Sequence, residues 1–265
     1  MTEKDNHIIS SEGTHYSFIT PSTTAPDTLI FVPGMACNKF GHPFADKPYG
    51  ILADIIDMSM PNYNILIPDV NDMRVNAPKF HTGKSIEFQA DQIANAYADI
   101  SSREHLDGKT LFIGQSLGAL AITNFITRYS MPAETNAIFL APPTYDGRKC
   151  HESLVAMFAN NLGTKVDENL LGVLQFGEDQ YMSVDEEYWQ SIDRNSLTAH
   201  NKQLKAKLKR VLALYATNDK YFSNSRDYLE GRFSNIESYA IDGSSHAFKT
   251  DSMRAQVKDI VRQLL

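Results

Sequence analysis

Thr110-Leu111-Phe112-Ile113-Gly114-Gln115-Ser116-Leu117-Gly118 is an apolar run that stops in G-x-S-x-G and continues without a break as Ala119-Leu120-Ala121-Ile122. It reads as strand, sharp turn and helix. A serine at such a turn sits on a strained backbone with its hydroxyl pushed out of the fold. Glycines two before and two after it let the strand and helix pass closely. Ser116 is therefore the candidate nucleophile. Glycine and serine are common enough that three matched positions can also arise by chance. The apolar strand directly before the motif and the apolar helix directly after it make the match specific.

The same alternation continues on both sides. His7 to Thr20 holds two β-rich pieces around Ser11-Glu12-Gly13, an expected antiparallel hairpin. Thr28-Leu29-Ile30-Phe31-Val32 is an uninterrupted apolar run of the kind buried on both faces, broken by Pro33-Gly34. Asp46 and Pro48 then predict a helix carrying Tyr49, Leu52, Ile55 and Ile56 on one face. A strand at 63–67, a helix between Ser85 and Ser101, and strands at 137–141, 211–216 and 236–241 follow. A last helix carries Met253, Val257, Ile260, Val261 and Leu264. Alternating elements of this kind imply an α/β fold with a mostly parallel sheet and helices on both faces.

One segment interrupts the alternation, because 144–210 offers helices and no buried strand. It is expected to be an inserted, mainly helical cap, with 1–143 and 211–265 forming the core. A helix through Leu154, Phe158 and Leu162 ends at Gly163, a short hairpin spans Gly172 to Met182, and Ser183 with Glu186 has the spacing of a capping box. Phe158 and Trp189 have two readings, as the cap's own small core or as walls of a substrate pocket.

Composition narrows the class. At 265 residues, with 42% hydrophobic and 22% charged residues, the chain is expected to be one globular domain with an insertion. A net charge of -7 without a Lys/Arg stripe argues against a nucleic-acid partner. The polar start and the absence of a long apolar run predict no membrane span and a cytoplasmic protein. Two cysteines, Cys37 and Cys150, are too few for a disulfide framework, although one bridge between them stays open.

A serine hydroxyl needs a base within hydrogen-bond reach and a carboxylate that orients that base. Among eight histidines, His246 in Gly243-Ser244-Ser245-His246-Ala247-Phe248 is the one in a loop just after a late strand, as the chain order serine, acid, histidine requires. His42, near the Pro33-Gly34 loop, is the alternative. Asp219 ends the preceding strand and is the expected acid; Asp69 and Asp242 are its rivals. Backbone N–H groups of Leu117 and Met35 stand where oxyanion donors belong. Cys37 reads as a packed small residue.

At these residues the chain resembles the α/β-hydrolase superfamily over nearly its whole length. Gly114-Gln115-Ser116-Leu117-Gly118, Asn218-Asp219 and Gly243 to Phe248 carry the resemblance. The insertion after the 137–141 strand is similar to the small caps of the lysophospholipase, monoacylglycerol lipase and cinnamoyl esterase branch. The chain departs from many members in Pro33 before Gly34, Gln115 before the serine, and Lys220-Tyr221-Phe222 after the acid. The resemblance implies hydrolysis of a carboxylic ester or thioester of small to medium acyl length. Acyl transfer, carbon-carbon bond hydrolysis and ligand binding without turnover are the other readings of the same pattern. No metal cluster, phosphate loop or dinucleotide fingerprint is visible in the sequence, so no cofactor is expected.

Overall fold

The computed structural model describes residues 6–21, 27–35, 37–42, 45–60, 62–72, 80–104, 106, 108–132, 134–143, 172–176, 180–219, 236–243 and 245–265. Strands among them are β1 (Asn6–Ile9), β2 (His15–Ile19), β3 (Asp27–Val32), β4 (Tyr63–Pro68), β5 (Phe80–Thr82), β6 (Thr110–Gln115), β7 (Thr135–Leu140), β8 (Gly172–Phe176), β9 (Gln180–Val184), β10 (Arg210–Ala216) and β11 (Ile236–Ile241). Helices are α1 (Ile51–Ser59), α2 (Ile86–Arg103), α3 (Gly118–Arg128), α4 (Glu186–Arg194), α5 (Leu197–Lys207) and α6 (Asp251–Val261).

The principal sheet has eight strands in the order β1-β2-β4-β3-β6-β7-β10-β11. β1 and β2 form the expected hairpin, with Ile8 opposite Tyr16, and β2 joins β4 antiparallel. From β4 onward every pairing is parallel. Parallel strands must be reached by crossovers, and the connecting helices cover both faces of the sheet. Alternate residues of each central strand therefore enter different cores. In β3, Ile30 and Val32 meet α2 and α3, whereas Leu29 and Phe31 meet α1 and α6. In β6, Phe112 takes the first side and Leu111 and Ile113 the second. Burial on both faces accounts for the unbroken apolar runs.

Between β7 and β10 the described residues hold two strands and two helices. β8 and β9 form the expected hairpin, and β9 also pairs parallel with β5, giving a second sheet in the order β5-β9-β8. Helices α4 and α5 extend the α2/α3 layer. Ser191 Oγ accepts from the Ile86 N–H (3.0 Å), and Asn195 Nδ2 donates to Glu87 Oε1 (2.7 Å). Lys207 Nζ donates to the carbonyls of Ile126, Thr127 and Tyr129 at 2.7–3.0 Å, closing the C-terminus of α3, where a cation is favourable.

Two local expectations are corrected. The helix predicted from Asp46 and Pro48 begins only at Ile51, because Gly50 has φ 58 and the Tyr49 N–H is spent on the Phe40 carbonyl. Tyr49 is consequently 56% exposed rather than on the apolar face. The predicted cap Ser183 stays in β9, and Asp185 caps α4 by accepting from the Tyr188 N–H at 2.8 Å. The predicted helix around Phe158, the hairpin turn 177–179 and Cys150 lie outside the described residues. Cys37 is a free thiol. Among the described residues no helix is long and apolar enough to cross a membrane.

Candidate active site

The site lies at the carboxyl ends of the parallel strands, where loops converge in open α/β sheets. Among described residues, positive φ outside glycine occurs at Asp72, Ser116, Ala141 and Phe248. They follow β4, β6, β7 and β11 respectively. Backbone strain of this kind persists only where surroundings over-determine it, and here it gathers along one edge of the sheet.

Ser116, between β6 and α3, has φ 51. Its N–H donates to the Leu140 carbonyl (2.8 Å), and its own carbonyl accepts from the Ala119 N–H (3.0 Å). Three glycines give it room. A Cβ on Gly114 would stand 2.7 Å from Ala119 Cα, and one on Gly118 would stand 2.3 Å from the Val32 carbonyl oxygen. Those neighbours are backbone and cannot swing aside. A Cβ on Gly34, in the loop after β3, would stand 3.0 Å from Ser116 Cβ. The loop carrying Met35 therefore abuts the serine directly.

His246 and Asp219 come from neighbouring loops tied to each other. After β10, the Thr217 N–H donates to the Ile241 carbonyl and the Asn218 N–H to the Gly243 carbonyl, both at 3.0 Å. Asp219 is held by its own N–H on the Ala216 carbonyl (3.1 Å). The loop after β11 is anchored by Phe248, fully buried under the α1/α6 face, whose N–H donates to the Ser245 carbonyl (3.0 Å).

Within this frame His246 Nε2 lies 3.0 Å from Ser116 Oγ, and His246 Nδ1 lies 2.6 Å from Asp219 Oδ2. Asp219 is 1% exposed and the His246 side chain 19%. A carboxylate so deeply buried needs hydrogen-bond donors, which favours the tautomer with its proton on Nδ1. Nε2 is then the acceptor, and the Ser116 hydroxyl donates to it. The arrangement can draw the hydroxyl proton onto imidazole and hold the resulting cation against a carboxylate. It also places Ser116 just before the N-terminus of α3, where N–H groups point outward and the helix dipole favours negative charge.

The rival residues go elsewhere. Asp69 is buried and ties its N–H to the His15 carbonyl (2.8 Å). Asp242 is exposed after β11, with its N–H on Gln256 Oε1. His42 lies against Tyr49 with ring centroids 4.9 Å apart and planes tilted by 51°, and burial, aided by the Lys249 charge, lowers its pKa. Burial pushes the Cys37 thiol up to about 12, so it is protonated at neutral pH and a poor nucleophile. Trp189 is 5% exposed and joins Tyr188, edge to face at 5.1 Å, in the core shared with α2 and α3. Phe158 lies outside the described residues. No group of three or more His, Cys, Asp or Glu side chains able to hold a metal ion occurs among the described residues.

Sequence reasoning did not single out Asn71. Its side chain reaches back to the loop after β3, donating from Nδ2 to the carbonyls of Gly34 (2.9 Å) and Cys37 (2.8 Å). A contact made across more than thirty residues leaves no periodic or motif signal in the chain.

Sheet, crossovers and elbow together define the α/β-hydrolase fold. Solved structures with the same fold include the Pyrococcus furiosus esterase Pf2001, with a TM-score of 0.63 and 12% identity over 99% of this chain and 91% of that one. The esterase domain of a Rhodothermus marinus protein has a TM-score of 0.62 and 14% identity, covering 98% of this chain and 96% of that one. The esterase RhEst1 from a Rhodococcus species has a TM-score of 0.57 and 16% identity, and the two chains cover each other fully. No family model and no curated protein sequence matches the chain.

Proposed function

We propose that this chain is a serine hydrolase that cleaves carboxylic esters or thioesters of small to medium acyl length. Ser116 Oγ attacks the carbonyl carbon while His246 Nε2 takes its proton. The tetrahedral oxyanion is met by the N–H groups of Leu117, at the start of α3, and of Met35, in the loop after β3. Collapse expels the alcohol or thiol, which takes the proton back from His246, and leaves an acyl group on Ser116. Water activated by the same histidine then releases the acid. Asp219 holds the imidazole in its working tautomer and stabilises the cation in both half-reactions.

The observation that carries this reading is the hydrogen-bonded series Ser116, His246 and Asp219, at 3.0 and 2.6 Å, with the serine on a strained turn. That the solved structures of like fold include proteins described as esterases supports the choice of substrate bond. We assign acyl recognition to the insertion 144–210, with Phe158 its candidate residue; Trp189, buried against α2 and α3, packs the insertion instead. The test is hydrolysis of a p-nitrophenyl ester series and of acyl thioesters, with and without an added alcohol acceptor. Turnover that disappears in Ser116→Ala supports hydrolysis at this serine. Product consisting mainly of the transferred ester would move the assignment to acyl transfer, and turnover retained in Ser116→Ala would overturn it.

A further inference from the structure

We propose that Asn71 is a positioning residue that sets the oxyanion hole by gripping the far side of the peptide whose N–H receives the oxyanion. The inference rests on the reading of Ser116 as nucleophile and of Met35 as an oxyanion donor. Both carboxamide hydrogens of Asn71 are used on the loop after β3, one on the Gly34 carbonyl at 2.9 Å and one on the Cys37 carbonyl at 2.8 Å. The partners are both acceptors, so the Asn71 NH₂ group has to face them. These two carbonyls bracket the turn that the Cys37 N–H closes on the Gly34 carbonyl at a long 3.3 Å. Asn71 itself is buried and is followed by Asp72 in a positive-φ conformation (φ 53), so its own backbone is firmly placed.

The Gly34 carbonyl and the Met35 N–H belong to one planar peptide unit. No cis peptide bond occurs among the described residues, and in a trans unit the two groups point in opposite directions. A donor fixed on the carbonyl side therefore turns the N–H to the side away from Asn71. Gly34 packs on Ser116, with its missing Cβ only 3.0 Å from Ser116 Cβ and 3.7 Å from Oγ, so the unit is next to the reacting atoms. Hydrogen bonding to the carbonyl also polarises the peptide and makes its N–H a better donor, as in any chain of hydrogen bonds. Asn71 thus acts twice, on direction and on strength. Leu117 needs no such help, because its N–H is placed by the first turn of α3.

The test compares Asn71→Leu, similar in shape but without a donor, and Asn71→Asp, which turns a carboxylate toward two carbonyls. For either variant that is folded by circular dichroism, kcat on a p-nitrophenyl ester is expected to fall about ten- to a hundredfold. That is less than the 10² to 10³ lost with a direct oxyanion donor. KM should stay within about threefold, since the oxyanion exists only in the transition state. A trifluoromethyl ketone, which forms a tetrahedral oxyanion on the serine, should lose affinity by the same factor as kcat. The pH–rate profile should keep its midpoint, because His246 and Asp219 are untouched. Asn71→Asp supplies the measurement if Asn71→Leu does not fold. A kcat within threefold of the parent, or a fall in kcat with unchanged ketone affinity, overturns the role of Asn71. A parent protein that neither turns over esters nor binds the ketone through Ser116 refutes the hydrolase reading itself, and the two failures are thereby distinct.

Discussion

Replacing Asp219 by asparagine removes one charge and leaves the side chain's volume almost unchanged, so its effect can be worked out from the site. The carboxylate oxygen is 2.6 Å from His246 Nδ1 and the group is 1% exposed. Taking about 4 Å between the delocalised charge centres and an effective dielectric constant of about 20, carboxylate and imidazolium attract by about 4 kcal/mol. That attraction exists only when the imidazole has taken the serine proton. At 1.36 kcal/mol per tenfold, its loss lowers kcat by roughly three orders of magnitude. Asparagine adds a second fault, since an NH₂ group facing Nδ1 leaves the ring proton on Nε2, where it blocks acceptance from Ser116. Together the two effects predict a fall in kcat of about 10³ to 10⁴. Steady-state hydrolysis of a p-nitrophenyl ester by Asp219→Asn should show it, with KM within a few-fold and thermal unfolding still cooperative. Asp69→Asn and Asp242→Asn serve as controls. A loss of tenfold or less at Asp219, beside a large loss at either control, would refute the assignment of the acid.

Two further perturbations test the packing of the insertion. Truncating Trp189, which is nearly buried against α2 and α3, should cost about 3–5 kcal/mol and lower Tm on the order of 10 °C, leaving the acyl-chain-length profile of the folded enzyme unchanged. A shifted profile with an unchanged Tm would instead put Trp189 on the substrate. At His200, burial lowers the imidazole pKa, outweighing a backbone hydrogen bond and the Glu87 charge that raise it. An unfolded histidine titrates near 6.5, so below that pH the unfolded chain binds the proton first. The contribution of His200 is therefore present above about pH 6.5 and is lost as pH falls toward its lower folded value. Denaturation between pH 7 and 5 should show a shallower fall in stability for His200→Gln than for the parent, and parallel curves would contradict this.

What could be read from the chain is what local chemistry writes into it. Strands buried on both faces appear as unbroken runs such as Leu29 to Val32 and Leu111 to Ile113, and the glycines at 114 and 118 mark where backbones must pass within van der Waals distance. Asp219 and His246 were legible because each follows a strand in the order the elbow demands. Tertiary partners decided the rest. α1 starts at Ile51 because the Tyr49 N–H is claimed by Phe40, and Gly50 turns the chain. Ser183 is held in β9 by Val173 and by the Gly83 N–H, so a capping-box spacing yields to Asp185. β5 is only three residues long and becomes a strand through its pairing with β9, one hundred residues later. The Asn71 grip on Gly34 and Cys37 is likewise invisible until β3 and β4 lie side by side.

One serine should react unlike all the others. An organophosphonate reacts quickly only with a hydroxyl that has a base in reach and donors for the developing oxyanion. Incubation with a fluorophosphonate, followed by intact mass and peptide mapping, should give a single adduct on Ser116, none on Ser116→Ala, and strongly slowed labelling in His246→Ala. Labelling of Ser116→Ala at the parent's rate, or an adduct spread over several serines, would contradict the assignment of Ser116 as the nucleophile.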